Sequence, residues 1–406
     1  MKLIATTALA LIAAFAATPA IAQSEKPAAT QNAGPAIKPS QKALKALVDL
    51  QNAVKANDTA NIPAKVAAAQ AVASTPQDRF LIAQFQLQAA VKANDMATVA
   101  TAVDTMAATG VGDKATLGHI YNGLGGSFYN SKQYDKAAVA YGHAVEINPN
   151  DLDSVELLGE SQLAAGQKAQ AATTFQRAIQ LKKAAGQKPD ESLLKRTVAI
   201  AYDEKSPSSV QLARDWVAAY PSAASWSDAI AIYRNLNHPD TEGTIDLYRL
   251  MALTGSLTGP QYAQYSRAVA EQGNYNEAQA AYDAGVAAKL INPASSEYND
   301  LTTGLKAKPK ATAADLAAAT KAAVNGTALL RIGDRYYAMG DYAKAVELYR
   351  MAMGKPGVDA DVANLHIGMA LARSGDKAGA TAAFNAVTGT RADIAKFWLT
   401  YLNQKA

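Results

Sequence analysis

One pattern recurs down this chain: Gly-x-Tyr-x-x-Ala-x-x-x-Tyr/Phe-x-x-Ala, each time at the second arm of a helix–turn–helix. Tyr134, Ala137, Tyr141 and Ala144 carry it first, and Lys168, Ala171, Phe175 and Ala178 repeat it 34 residues later. It returns as Gly273, Tyr275, Ala278 and Tyr282, then as Gly340, Tyr342, Ala345, Tyr349 and Ala352, and last as Gly375, Lys377, Ala380 and Phe384. A helix pair of this length cannot bury its apolar stripe alone. It must stack on its neighbours and build a helical solenoid.

The residue types have a packing reason. Tyr121, Leu124, Gly125 and Phe128 fall at i, i+3, i+4 and i+7 on the helix before the first copy. Gly125 and Ala137 are small where two helices meet closely, and the aromatics fill the space between one pair and the next. Strand signals are nearly absent, and Ala, Leu, Gln and Lys favour helix at most positions, so the chain reads as all-α.

These residues resemble the tetratricopeptide repeat family, whose pattern sets an aromatic, Leu-Gly and Tyr/Phe on helix A, then Ala, Phe/Tyr, Ala and Pro. The segment 118–151 matches at nearly every position, ending at Pro149. The segment 326–359 has Leu329, Ile332, Gly333 and Tyr336 but Gly357 in place of Pro; 152–185 keeps Leu158 and Gly159 but has Gln162 for the aromatic. In 259–292 Ser266 replaces the helix-A glycine and Gly285 the helix-B alanine. The resemblance covers five copies and under half the chain. It implies a right-handed α-solenoid of such repeats, and a capping helix closes the C-terminus.

Spacing supplies the remainder. Ala171 and Ala278 lie 107 residues apart, leaving room for two worn pairs with helices near 192–204, 208–219, 224–236 and 242–253. An echo of Gln51–Asp58 at Gln88–Asp95 marks two more pairs in 41–110. The organisation expected is therefore worn pairs over 41–110, repeats over 117–185, worn pairs over 186–258, a repeat plus a worn pair over 259–325, and repeats over 326–390. In 391–406 Ile394, Phe397, Trp398, Tyr401 and Leu402 share one helical face, as a cap over the last apolar surface requires. Lys306–Thr312 and Gly186–Asp190 are the expected hinges.

The start of the chain reads as an export signal, with Lys2, an apolar stretch from Leu3 to Ala17 and a small-x-small site at Ala20-Ile21-Ala22. Cleavage of residues 1–22 is expected, followed by a flexible Ala/Pro/Gly/Gln-rich leader over 23–40. The absence of cysteine excludes an N-terminal lipid anchor, disulfides and thiolate metal sites. No later stretch is apolar enough to span a bilayer, so the mature protein is read as periplasmic, with secretion the second choice, and not as an integral membrane protein. A formal charge of +4, or +3 without Lys2, gives no basic stripe for nucleic acid.

Catalytic patterns are weak. Gly159-Glu160-Ser161 is similar to the Glu-Ser pair of lytic transglycosylases, yet it lies inside a repeat helix where packing already explains Gly159. Ser192-Leu-Leu-Lys195 has the Ser-x-x-Lys spacing of penicillin-recognising enzymes without their companion elements, and Asp190, Glu191 and Ser192 read better as a helix start. His119, His143, His238 and His366 are too scattered for a metal site and read as lone surface residues. No enzyme activity, cofactor or metal is expected.

In the family the resemblance names, ligands lie along helix-A positions that do not pack on helix B. Here these are His119, Asn122, Tyr129 and Asn130, then Asp153, Glu156 and Glu160, then Gln264, Arg267 and Glu271. The last two repeats add Arg331, Asp334 and Tyr337, then His366, Met369 and Arg373. The set implies a concave groove, acidic at one end and Arg-bearing at the other, for a protein or an extended peptide. Asn122 and Gly126 stand where the carboxylate-clamping Lys and Asn of chaperone-binding members would be, so that specificity is not carried over. The alternatives are an accessory subunit of envelope polysaccharide export or outer-membrane assembly machinery, and, third, a peptidoglycan-acting enzyme.

Overall fold

A computed structural model describes residues 37–404. The signal segment and most of the leader lie outside the described residues. The chain divides into two compact units, Met1–Pro189 and Asp190–Ala406, with the boundary in the 186–190 loop expected as a hinge.

The first unit is four antiparallel helix pairs: α1 (Gln41–Lys55) and α2 (Ile62–Val72), α3 (Pro76–Lys92) and α4 (Met96–Ala108), α5 (Lys114–Asn130) and α6 (Tyr134–Ile147), α7 (Leu152–Ala164) and α8 (Lys168–Ala184). The last residues of the leader belong to this unit. Ile37 packs against its core, and Ser40 caps α1 by accepting from the amide of Ala43. Asp78 ties the first two pairs together. Fully buried, it accepts from the Ser40 amide (2.7 Å) and hydroxyl (2.9 Å) and from the amides of Ser74 (2.9 Å) and Thr75 (3.0 Å).

The second unit contains α9 (Glu191–Asp203), α10 (Ser209–Ala219), α11 (Ala223–Asn237), α12 (Thr241–Thr254), α13 (Gly259–Glu271), α14 (Tyr275–Ala287), α15 (Asn299–Lys306), α16 (Ala313–Ala322), α17 (Gly326–Ala338), α18 (Tyr342–Met353), α19 (Ala360–Ser374), α20 (Lys377–Asn385) and α21 (Ala392–Gln404). The described residues contain no strand. The short pair α15–α16 leaves α14 free to pack directly on α17.

Two local rules write the pairs. The helix-A glycine accommodates the helix-B aromatic that follows it by sixteen residues. A Cβ on Gly125, Gly159, Gly333 or Gly368 would meet the ring of Tyr141, Phe175, Tyr349 or Phe384 at 2.9, 2.6, 2.5 and 2.5 Å. Where Ser266 replaces that glycine, its hydroxyl donates to the Ala278 carbonyl at 2.7 Å. The second rule sits in the turn, where one residue takes a left-handed backbone. Gly166, Gly273, Gly340 and Gly375 do so, but so do Asn57, Asn94, Lys132, Lys205 and His238 at the same point of other pairs.

The C-terminal helix covers more than the last repeat. On one side Trp398 stacks on Phe384 of α20 at 6.0 Å. On the other, Phe397 lies against Trp226 and Tyr233 of α11, Asp393 pairs with Arg214 of α10 at 2.8 Å, and the Gln404 amide donates to the Val217 carbonyl at 2.9 Å. It therefore joins the end of the second unit to that unit's own beginning. A terminal cap was expected; the aromatics Phe397 and Trp398 instead face two sides at once.

Candidate functional site

Inside the second unit, four helices meet on charge. Arg249 of α12 holds Glu277 of α14 in a two-pronged bond, Nε to Oε1 at 2.7 Å and Nη2 to Oε2 at 2.9 Å. Its third nitrogen reaches Asp246 at 3.0 Å and stands 3.7 Å from Asp334 of α17. His366 of α19 lies between the same two carboxylates, 3.2 Å from Asp246 and 3.1 Å from Asp334. Tyr349 donates to Asp334 at 2.9 Å, and Arg391 approaches Asp246 at 3.9 Å. Burial alone would strip the proton from His366, but the two flanking carboxylates outweigh it and raise its pKa to about 10. The ring is thus a cation at neutral pH. Three cations face three carboxylates, which is how such a cluster survives out of water.

This corrects two expectations. Asp334 and His366 were placed on a groove and His366 was read as a surface residue; both are buried, His366 with no exposure at all. The reason is that α12 and the Arg391 segment cover the face that a simple stack would leave open. Met369 is buried as well. The signal for the cluster was present in Ile245-Asp246-Leu247-Tyr248-Arg249-Leu250-Met251, where an acid and a base interrupt an apolar run three residues apart.

Beside the cluster opens a cleft of about 190 Å³. Tyr262, Tyr265, Tyr337 and Tyr342 wall it, and Ala280, Ala281 and Ala284 of α14 line its floor, so it is aromatic around small side chains. Arg249 stacks on Tyr337 (5.3 Å) and Arg373 on Tyr342 (5.4 Å). Glu277, which also lines the cleft, has its oxygens spent on Arg249, Tyr265 and Asn274. Tyr337 and Arg373, two of the residues picked from sequence, meet here; the other tyrosines and the alanine floor were not foreseen.

The other residues expected on the groove are dispersed. Gln264 is exposed and accepts from the Tyr248 hydroxyl at 2.8 Å, Arg267 holds Asp300 by two bonds of 3.0 Å, and Glu271 and Arg331 are exposed. In the first unit His119, Asn130 and Asp153 are exposed, while Asn122 accepts from the Ser154 hydroxyl at 2.9 Å. Tyr129 packs edge-on against Tyr134 at 5.2 Å, Glu156 pairs with Lys182 at 2.9 Å, and Glu160 is half-buried. Glu160 has no free serine beside it: the buried Ser161 hydroxyl donates to the Leu157 carbonyl at 2.8 Å. A second cleft of about 230 Å³ lies between α4 and α6, over Leu124 and Phe128, with Val139 on its rim.

Among the described residues no group of three or more His, Asp or Glu side chains is arranged to hold a metal, and no helix is long and apolar enough to cross a membrane. The paired helices and the sixteen-residue packing rule define an all-α helical-repeat protein. Comparison with known families then specifies the repeat. Residues 118–151 match one family model described as tetratricopeptide repeat, and residues 154–181 and 327–355 match a second of the same description. The chain carries tetratricopeptide repeats over these segments.

No curated protein matches the sequence. Solved structures with similarity include the yeast Sti1 TPR2AB domain in complex with pHSP90, at 12% identity over 71% of this chain and 96% of that one, TM-score 0.24. Pseudomonas aeruginosa pilF is 15% identical over 65% and 98%, TM-score 0.21. The Cut9–Hcn1 hetero-tetramer of the APC/C is 12% identical over 90% and 91%, TM-score 0.21.

Proposed function

We propose that this protein is a non-enzymatic adaptor that holds a protein partner on its helical-repeat surface, and that it works in the periplasm after loss of residues 1–22. The observation that carries the reading is the match of three helix pairs to the tetratricopeptide repeat, a scaffold for protein interaction. The chemistry of the chain agrees with it. His366, Asp334 and Asp246, groups with altered proton affinity, are sealed in an ion cluster with Arg249 and neutralise one another. Ser161 is committed to the Leu157 carbonyl of its own helix, and Lys195 to Glu191 at 2.9 Å. The small-x-small sequence Ala20–Ala22 supports export.

Proximity labelling in the native cell envelope, with the full chain fused to the labelling enzyme, tests the adaptor reading. The expected result is a small reproducible set of envelope proteins above the signal of an exported control. A set identical to the control's overturns it. N-terminal sequencing of the mature protein tests the location: a start at Gln23 in the periplasmic fraction is expected, and an intact Met1 in the cytoplasm defeats it.

A further inference from the structure

The tyrosine-walled cleft of the second unit is built for a particular kind of side chain. Its charges do not cancel. Arg249 is neutralised by Glu277, Asp246 and Asp334. Arg373 donates Nε and Nη2 to the Tyr342 hydroxyl at 3.0 and 2.8 Å and, among the described residues, meets no carboxylate. Its place in the last turn of α19 lets the helix end tolerate the cation. That does not use its remaining nitrogen, which is left at a cleft. The Tyr337 hydroxyl, beside it, also makes no hydrogen bond among the described residues. Two unspent donors therefore line one cleft, with an apolar floor whose outer residues, Ala280 and Ala284, are exposed.

Size decides between classes of ligand. Pockets that enclose a drug-sized molecule run from roughly 300 to 1,000 Å³. About 190 Å³ suits one large side chain, and single aromatic anchors of this kind dominate protein interfaces. We propose that the cleft is the anchor point for a partner segment that inserts an aromatic side chain among Tyr262, Tyr265 and Tyr337 and sets a neighbouring Asp or Glu carboxylate on Arg373 and the Tyr337 hydroxyl. This rests on the adaptor reading and gives it a place and a chemistry.

The test uses the full mature chain and the peptide probes Ac-Gly-Asp-Phe-Asp-Gly-NH2, its Asn-Phe-Asn counterpart and its Asp-Ala-Asp counterpart, titrated by calorimetry or by shifts of tyrosine ring resonances. Asp-Phe-Asp is expected to bind, with Asn-Phe-Asn and Asp-Ala-Asp each weaker by about tenfold or more, the scale of one charge-assisted hydrogen bond or one buried ring. Arg373→Gln should remove the preference for Asp over Asn while keeping that for Phe over Ala. Ala284→Trp, a surface change that fills the cleft, should remove both. No binding to the wild type, or equal binding of the Asp and Asn peptides, overturns the proposal. So does a labelled partner set that is unchanged in Arg373→Gln and Ala284→Trp, in which case the adaptor reading stands without this cleft.

Discussion

Two residues show how local chemistry decides stability here. Burial pushes the Asp78 carboxyl up, but hydrogen bonds from Ser40, Ser74 and Thr75 outweigh it and hold the group well below the usual carboxylate range. A folded value below the unfolded one contributes stability above an unfolded pKa of about 3.9, and that contribution is lost as pH falls further. Asp78→Asn should cost about 1–3 kcal/mol at neutral pH. In urea melts its difference from wild type should shrink as the pH approaches 2, and a constant difference would contradict the account. The second residue is Lys132, which holds a left-handed turn that Gly340 fills elsewhere, with φ of 59° against 81°. A side chain there costs roughly 1–2 kcal/mol, offset in part by glycine's greater unfolded-state entropy. Lys132→Gly should therefore raise stability by about 0.5–1 kcal/mol, and a loss on thermal melting would show that the Lys side chain matters more than its backbone.

That turn position also explains what could be read in advance. Copies with glycine there, at 166, 273, 340 and 375, are legible from sequence, and the copy at Lys132 stays legible through Tyr134, Ala137, Tyr141 and Ala144, whereas the pairs turning at Asn57, Asn94, Lys205 and His238 show only spacing or a faint echo. Their helices were still placed closely from spacing: expected at 192–204 and 242–253, they run Glu191–Asp203 and Thr241–Thr254. Period and capping are local, and local signals survive the wearing of a repeat. The site was less legible. A helical wheel puts Asp334 and His366 on an open face, as it does Tyr337 and Arg373, and only the path of the chain through α12 and Arg391 separates the buried pair from the other two.

At the scale of elements, the ion cluster joins α12, α14, α17 and α19. His366 has a folded pKa of about 10 against an unfolded value near 6.5. Its raised value means its stabilisation is complete below about pH 6.5 and disappears as pH rises through about 10. His366→Gln removes one of the two cations that Asp246 and Asp334 share and leaves Arg249 alone between them, at a cost of about 3–5 kcal/mol. The expected mark is a wild-type melting temperature that falls between about pH 6.5 and 10 toward that of the variant; parallel curves would sink the assignment. Packing elements give a control. Gly159→Ala, away from the cluster, drives a methyl into the Phe175 ring, for about 1–3 kcal/mol with no pH dependence from His366.

For the molecule as a whole, the question is what holds each unit together. The second unit relies on α21, whose Phe397 and Trp398 have no exposure. Removing residues 391–406 uncovers apolar surface on α10 through α12 and on α20 together, and takes away the Arg214–Asp393 pair. Such a chain should aggregate or lose its cooperative transition, and Trp398→Ala alone should cost about 3–5 kcal/mol. A truncated protein that stays monomeric by light scattering with an unchanged melting temperature would overturn the role given to this helix.

The return of α21 to α10 and α11 also sets a rule for how such a chain can change over generations. Open repeat arrays lengthen or shorten by whole units, because each repeat needs only its two neighbours. The second unit has spent that freedom. A duplicated or deleted helix pair between α12 and α20 would move Trp398 and Asp393 away from Phe384 and Arg214 at once. Its repeat number is therefore fixed by geometry, and variation among descendants should collect in substitutions and loop lengths.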